Sequence, residues 1–218
     1  DVERSRGLGD VYKRQIVNRL WHYVFGRGIV STTDNFGRLG KEPTHPELLD
    51  YLTLNFEKQG WSIKTALRQL VLSRTFRSRS AATETSIELD PNNEYLSYFQ
   101  PRRLEAEAIM DSVSSMAGQD FQRAVYERAK RNQLNPFLAA FNLPIPTTTN
   151  GVRDSTNVPA QALTMLNSDF TKNAAKDWSH RPLAEQPKTS ARSLIESLYW
   201  DAYARRPSGS DMEKLIPY

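Results

Sequence analysis

Three groups of residues have the types and spacing to do chemistry. Asp34, Arg38, His45 and Glu47 fall on one loop and the start of the helix that follows it. Two carboxylates and an imidazole can bind a cation through oxygen and nitrogen, or serve as general acid and base. The same residues also have structural uses: Glu47 stands three after Thr44, the spacing of a capping box, and Asp34 suits an Asx turn. The spacing matches no established metal motif such as His-Glu-x-x-His, so no metal is assigned. Asp34, His45 and Glu47 are the residues that would ligate one.

Arg102, Arg103, Glu105, Glu107 and Asp111 form the second group, on a helix expected from about Pro101 to Ala117. Arg103, Glu107 and Asp111 are four apart and share a face of that helix. A buried carboxylate there needs a cation, and Arg103 offers one. A carboxylate pair at this spacing also suits metal binding or hydrolysis. Arg153, Asp154, Asn157 and Gln161 make the third group, after a Pro/Thr-rich loop. Arginine grips carboxylate, sulfate or phosphate groups bidentately, whereas Asp154 and Asn157 are good capping types. The candidates are thus Asp34, His45, Glu107 and Asp111 for catalysis, and Arg38, Arg103, Arg153 and Asp154 for ligand binding. The chain has no Gly-x-Ser-x-Gly elbow, no phosphate-binding Gly-Lys-Ser/Thr loop and no dinucleotide fingerprint.

The elements that must position these groups are helices. Ile16, Val17, Leu20, Trp21, Val24 and Phe25 mark one helical face, which Gly26 and Gly28 end. Thr44 is the expected cap of a second helix running through Leu48, Leu49, Leu52 and Phe56 to Gly60. Ser62 caps a third, with Ile63, Ala66, Leu67, Leu70 and Val71 on one face, and the short connection makes the two an antiparallel pair. Residues 78–93 read as a polar linker or surface loop. Residues 120–157 are irregular, with Pro136, Pro144 and Pro146, and Val125-Tyr126 is the place for a short strand. Asn157 caps a further helix that buries Ala162, Leu163, Leu166 and Phe170. A loop through Pro182 and Pro187 precedes a last full helix carrying Leu194, Ile195, Leu198, Tyr199 and Ala202. Ser208 or Ser210 caps another at the end of the chain. The fold class is mainly α: a multi-helix globular domain with a long irregular Pro/Thr-rich region and one short strand pair.

Composition narrows the function further. The 218 residues are 39% hydrophobic and 25% charged, as in a globular protein. No apolar run approaches the roughly 20 residues needed to cross a bilayer. With no cysteine, disulfides, thiolate catalysis and haem attached through Cys-x-x-Cys-His are excluded from these residues. A net charge of +4 is too small to argue for nucleic acid. The first 15 residues, DVERSRGLGDVYKRQ, lack a helical or strand period and read as a non-native, adapter-like tail, leaving residues 16–218 as a single helical domain, truncated at its C-terminus.

Several stretches together resemble one family. They are VNRLWHYVFGRGIVSTTDNFGRLGKEPTHPELLDYLTLNF, GWSIKTALRQLVLSRTFR, DPNNEYLSYFQPRRLEAEAIMDSV and RNQLNPFLAAFNLPIPTTTNGVRDSTNVPAQALTMLN. In this order they look like the planctomycete domain of unknown function 1553, over about Ile16 to Pro207. Tyr23 stands where a second histidine is common, and DNFG replaces an adjacent DFG. The resemblance implies an extracytoplasmic setting in a large exported protein, with N-terminal domains as partners and haem c, where present, in a separate domain. It implies no activity. The leading expectation is a helical interaction or scaffold module, which meets those domains, other exported proteins or polysaccharide. The alternative is a hydrolase of polysaccharide or sulfated glycan using Asp34, His45, Glu107 and Arg153.

Overall fold

Val17, Leu20, Trp21, Val24 and Phe25, spaced as one helical stripe, are all buried in the computed structural model. The structure describes residues 2–36, 39–118, 120–128, 130, 133–148, 151–185 and 187–217, with side chains from residue 9 onward. Among these, ten α-helices and a 3₁₀ turn account for the regular structure, and the one β feature is an isolated bridge between Lys130 and Gln133. The chain is mainly α, as the periodicity predicts. It divides into two compact units: residues 1–103 with 150–152, and residues 104–149 with 153–218.

Unit 1 is organised around α1 (Val2–Phe25). The apolar period predicts a start at Ile16, but the helix begins fourteen residues earlier, at Val2. Extending a formed helix costs far less than nucleating one, so polar residues without a period can continue it. Their partners are charges: Lys13 pairs with Glu57 at 2.9 Å and Arg14 with Asp50 at 2.6 Å. Both acceptors lie on α2 (Pro46–Lys58), which packs on α1 through Leu49, Leu52 and Phe56. The third helix, α3 (Ile63–Val71), capped by Ser62 as expected, adds Leu70 to the same core. The two short helices therefore share α1 as their main partner, more than they form a pair of their own.

The cap of α2 differs from the expectation. Its N-cap is His45, without a side-chain cap bond, and the Thr44 hydroxyl instead donates to the Ile29 carbonyl at 3.2 Å. Spent there, it cannot complete a capping box with Glu47, which stays exposed. The far end of α2 is closed by a Schellman motif. The Trp61 N–H donates to the Phe56 carbonyl, the Gly60 N–H to that of Glu57, and the Trp61 and Phe56 rings meet edge-on at 5.4 Å. Gly60 has φ +66°, and a Cβ there would meet nothing within 4 Å. Gly60→Ala is therefore expected to cost about 1 kcal/mol through backbone strain alone. Chemical denaturation checks this, and a loss above about 3 kcal/mol would mean that the space is not open.

Within the expected linker 78–93 a short helix forms, α4 (Glu84–Leu89), because Thr83 and Ser86 satisfy each other's backbone N–H groups reciprocally. The chain from Pro101 to Glu105 is not helical, and Glu105, the N-cap of the helix that follows, is extended. Arg102, expected on a helix, instead donates to the Tyr23 carbonyl in the last turn of α1, where a cation is favoured.

Unit 2 begins with α5 (Ala106–Ala117), ended by Gly118 in the left-handed region. The expected strand at Val125-Tyr126 is a 3₁₀ turn (Ala124–Tyr126). There follow α6 (Pro136–Ala140), α7 (Pro159–Asn167), α8 (Asp169–Glu185), α9 (Ala191–Tyr203) and α10 (Gly209–Leu215), the last capped by Ser208. α8 replaces part of the expected loop. Pro182 falls in its last turn, where few further bonds are forfeited. Phe137, Leu138 and Phe141 of α6 pack with Ala106 and Phe170, and Val113, Ala117 and Ala174 extend the core. The face expected to be buried on α7 is not: Leu163 is 57% and Leu166 71% exposed. Leu104, which precedes α5, is exposed as well.

Candidate functional site

Two neighbourhoods collect the candidate residues, one in each unit. In unit 1 the end of α1 and the start of α2 are joined by residues 26–45. Asn18 is fully buried: its amide donates to the Val30 carbonyl at 2.9 Å and accepts from the Val30 N–H at 2.8 Å. That clasp holds Gly26–Val30 against α1 and sets Arg27 beside Glu94, at 2.9 Å. His45 Nδ1 lies 2.9 Å from the Thr44 hydroxyl. That hydroxyl gives its hydrogen to Ile29, so the imidazole Nδ1 is the donor, and in the neutral ring Nε2 is left as the acceptor. The His45 ring stands 5.7 Å from that of Tyr95, nearly perpendicular. A cavity of about 30 Å³ lies among Trp21, Arg27, Thr44, His45, Asn93 and Glu94.

Asp34 occupies the turn before this region. Its side chain lies against the α-carbon of Gly151, where a Cβ would approach Asp34 Cγ to 2.3 Å, and Thr33 beside it donates to the Gly151 carbonyl at 3.0 Å. Arg38 lies outside the described residues. Glu47 faces solvent in the first turn of α2. Among the described residues, no three His, Asp or Glu side chains are grouped to hold a metal ion.

In unit 2 the second and third groups meet. Arg153 reaches Glu107 at 2.6 Å and Glu105 at 3.4 Å. Asp111 accepts from the Ala124 N–H at 2.7 Å and from Arg123 at 3.2 Å. Glu107 and Asp111 share a face of α5, as the spacing predicts, but Arg103 precedes the helix and does not share it. Burial pushes the Glu107 carboxyl up. The hydrogen bond from Arg153, a backbone hydrogen bond and the Arg153 charge outweigh it, against the charge of Asp111, and hold the group below the usual carboxylate range. Such a carboxylate is ionised at neutrality, far from the proton-sharing range of a general acid.

Behind Arg153 the chain is knitted by amides. Gln161 is 2% exposed; it donates to the Thr156 hydroxyl at 3.3 Å and accepts from the Val158 N–H at 3.3 Å. Val158, rather than the expected Asn157, is therefore the N-cap of α7. Asn142 donates to Thr156 at 2.8 Å and to the Asp154 carbonyl at 3.4 Å, while Asp154 itself is exposed. Sequence reasoning missed Asn18 and Asp90. Asn18 left a signal, a polar residue inside an apolar stripe; Asp90 begins an Asp-Pro-Asn-Asn turn.

Comparison with known proteins gives a single family. The model of a family described as "Protein of unknown function (DUF1553)" matches residues 9–122 and 117–218. No curated protein and no solved structure matches the chain.

Proposed function

The chain belongs to the family of unknown function 1553, and from that premise we propose that it is a helical interaction module of a larger exported protein. The observation that carries the reading is the exposed apolar face of α7. Ala162, Leu163 and Leu166 share one side of this helix and stand in water, where the sequence pattern asks for burial. Isolated exposed leucines are ordinary, but a contiguous group marks a contact surface. The charged clusters support the same reading, because Glu107 and Asp111 are engaged by arginines and backbone within the unit.

The partners we assign are the N-terminal domains of the parent protein, in an extracytoplasmic setting, with any haem held by one of those domains. Hydrogen exchange tests this directly. Amides of residues 160–167 are expected to exchange at least roughly tenfold more slowly in the full-length parent than in this chain alone. Equal protection in both would overturn the reading.

A further inference from the structure

Asn93 and Leu96 both sit in the left-handed region, at φ 49° and 53°. For a leucine this backbone is strained, and such strain persists only where the surroundings over-determine it. Here the buried Asp90 carboxylate accepts from the N–H groups of Glu94 and Tyr95, both at 2.8 Å. Asn93 also donates to the Tyr98 carbonyl at 2.9 Å. The loop is thereby fixed in a shape that leaves Tyr95 76% exposed beside His45 and sets Glu94 against Arg27. No part of the α7 contact surface uses this arrangement.

We propose that Arg27, His45, Glu94 and Tyr95 form a binding site for a neutral polyhydroxylated ligand, a saccharide. The argument rests on charge and shape. An anion would meet the Glu94 carboxylate and a cation the Arg27 guanidinium, so the 2.9 Å pair disfavours both. A hydroxyl both donates and accepts, and can bond to the two partners at once. His45 Nε2, in the neutral ring, adds an acceptor, and Tyr95 offers a rigid aromatic surface at low entropic cost. The adjoining cavity of about 30 Å³ holds a water or a single hydroxyl-bearing group. The site lies wholly within unit 1 and does not depend on the interaction reading.

The test is a titration of the isotope-labelled chain, followed by amide NMR, with maltohexaose, cellohexaose, xylohexaose, laminarihexaose and chitohexaose. At least one is expected to shift the Gly28, His45, Glu94 and Tyr95 amides, with affinity in roughly the millimolar range. Tyr95→Ala and Arg27→Met are each expected to weaken that binding roughly tenfold. Tyr126→Ala, an exposed tyrosine of unit 2, should leave it unchanged. Tyr95 is exposed, so its variant should keep the parent spectrum away from the loop. Failure of all five sugars to shift these amides overturns the proposal. So does binding that survives Tyr95→Ala, or tighter binding of sulfate or spermidine at the same amides.

Discussion

Replacing Asn18 by alanine is expected to destabilise unit 1 by about 4 kcal/mol. The side chain is fully buried and makes two hydrogen bonds to one residue, Val30. Truncation strands a buried N–H and a buried carbonyl, each costing about 1–3 kcal/mol, and leaves a void beside Gly28. Gly28→Ala should act in the same direction, because its Cβ would lie 2.5 Å from the Val30 carbonyl oxygen and 2.9 Å from the Asn18 amide. The backbone oxygen cannot swing away as a flexible side chain would. Urea denaturation followed by tryptophan fluorescence reads both variants. A loss below about 1 kcal/mol for Asn18→Ala would show that the clasp is not what holds Gly26–Val30 to α1.

The second large effect is expected at the other unit. Arg153→Ala leaves Glu107 without its closest cation, and a fully buried pair broken this way costs about 3–5 kcal/mol. Glu107 is 13% exposed and Arg153 34%, so solvent screening reduces the expected loss to about 2 kcal/mol. The pH dependence has a definite sign. The folded-state value of Glu107 is lowered, so the stability it contributes is present above the unfolded value, about 4.3, and is lost as pH falls through the folded one. The gap between wild type and Glu107→Gln should accordingly be constant near neutrality and close as the solution becomes acidic. A gap that widens on acidification would contradict the assigned ion pair.

Apolar spacing made the helices legible. The stripe from Val17 to Phe25, the Leu49-Leu52-Phe56 face and the glycine stop at Gly60 all stand where the pattern puts them. Elements held by polar contacts were opaque. The first half of α1 is fastened by Lys13 and Arg14 to residues some forty positions away, and α4 depends on a Thr83–Ser86 exchange within a polar run. Helix α7 failed in the opposite sense, since its apolar residues follow a buried pattern yet face water. A period of 3.6 reports that a face avoids water, not which surface covers it.

The candidate site was legible in residue type and only partly in connection. Glu107 and Asp111 lie on one face as their spacing requires, and capping chemistry accounted for Ser62 and Ser208. That Arg153, forty-six residues on, would be the cation for Glu107 is written in no local pattern. Thr44 shows the converse. Its spacing to Glu47 satisfied the capping rule, but a distant carbonyl, Ile29, outbid the local partner.

Residues 150–152 belong with unit 1, although the chain on either side of them belongs to unit 2. A ribosome that has finished residue 103 has therefore not finished unit 1. The buried Thr33 hydroxyl must wait for the Gly151 carbonyl, about fifty codons beyond residue 103. At roughly 5–20 residues per second that delay lasts some seconds. Through that interval the nascent first half carries the Thr33–Asp34 turn with its partner still unsynthesised, and a message cut just after codon 103 would leave it so permanently.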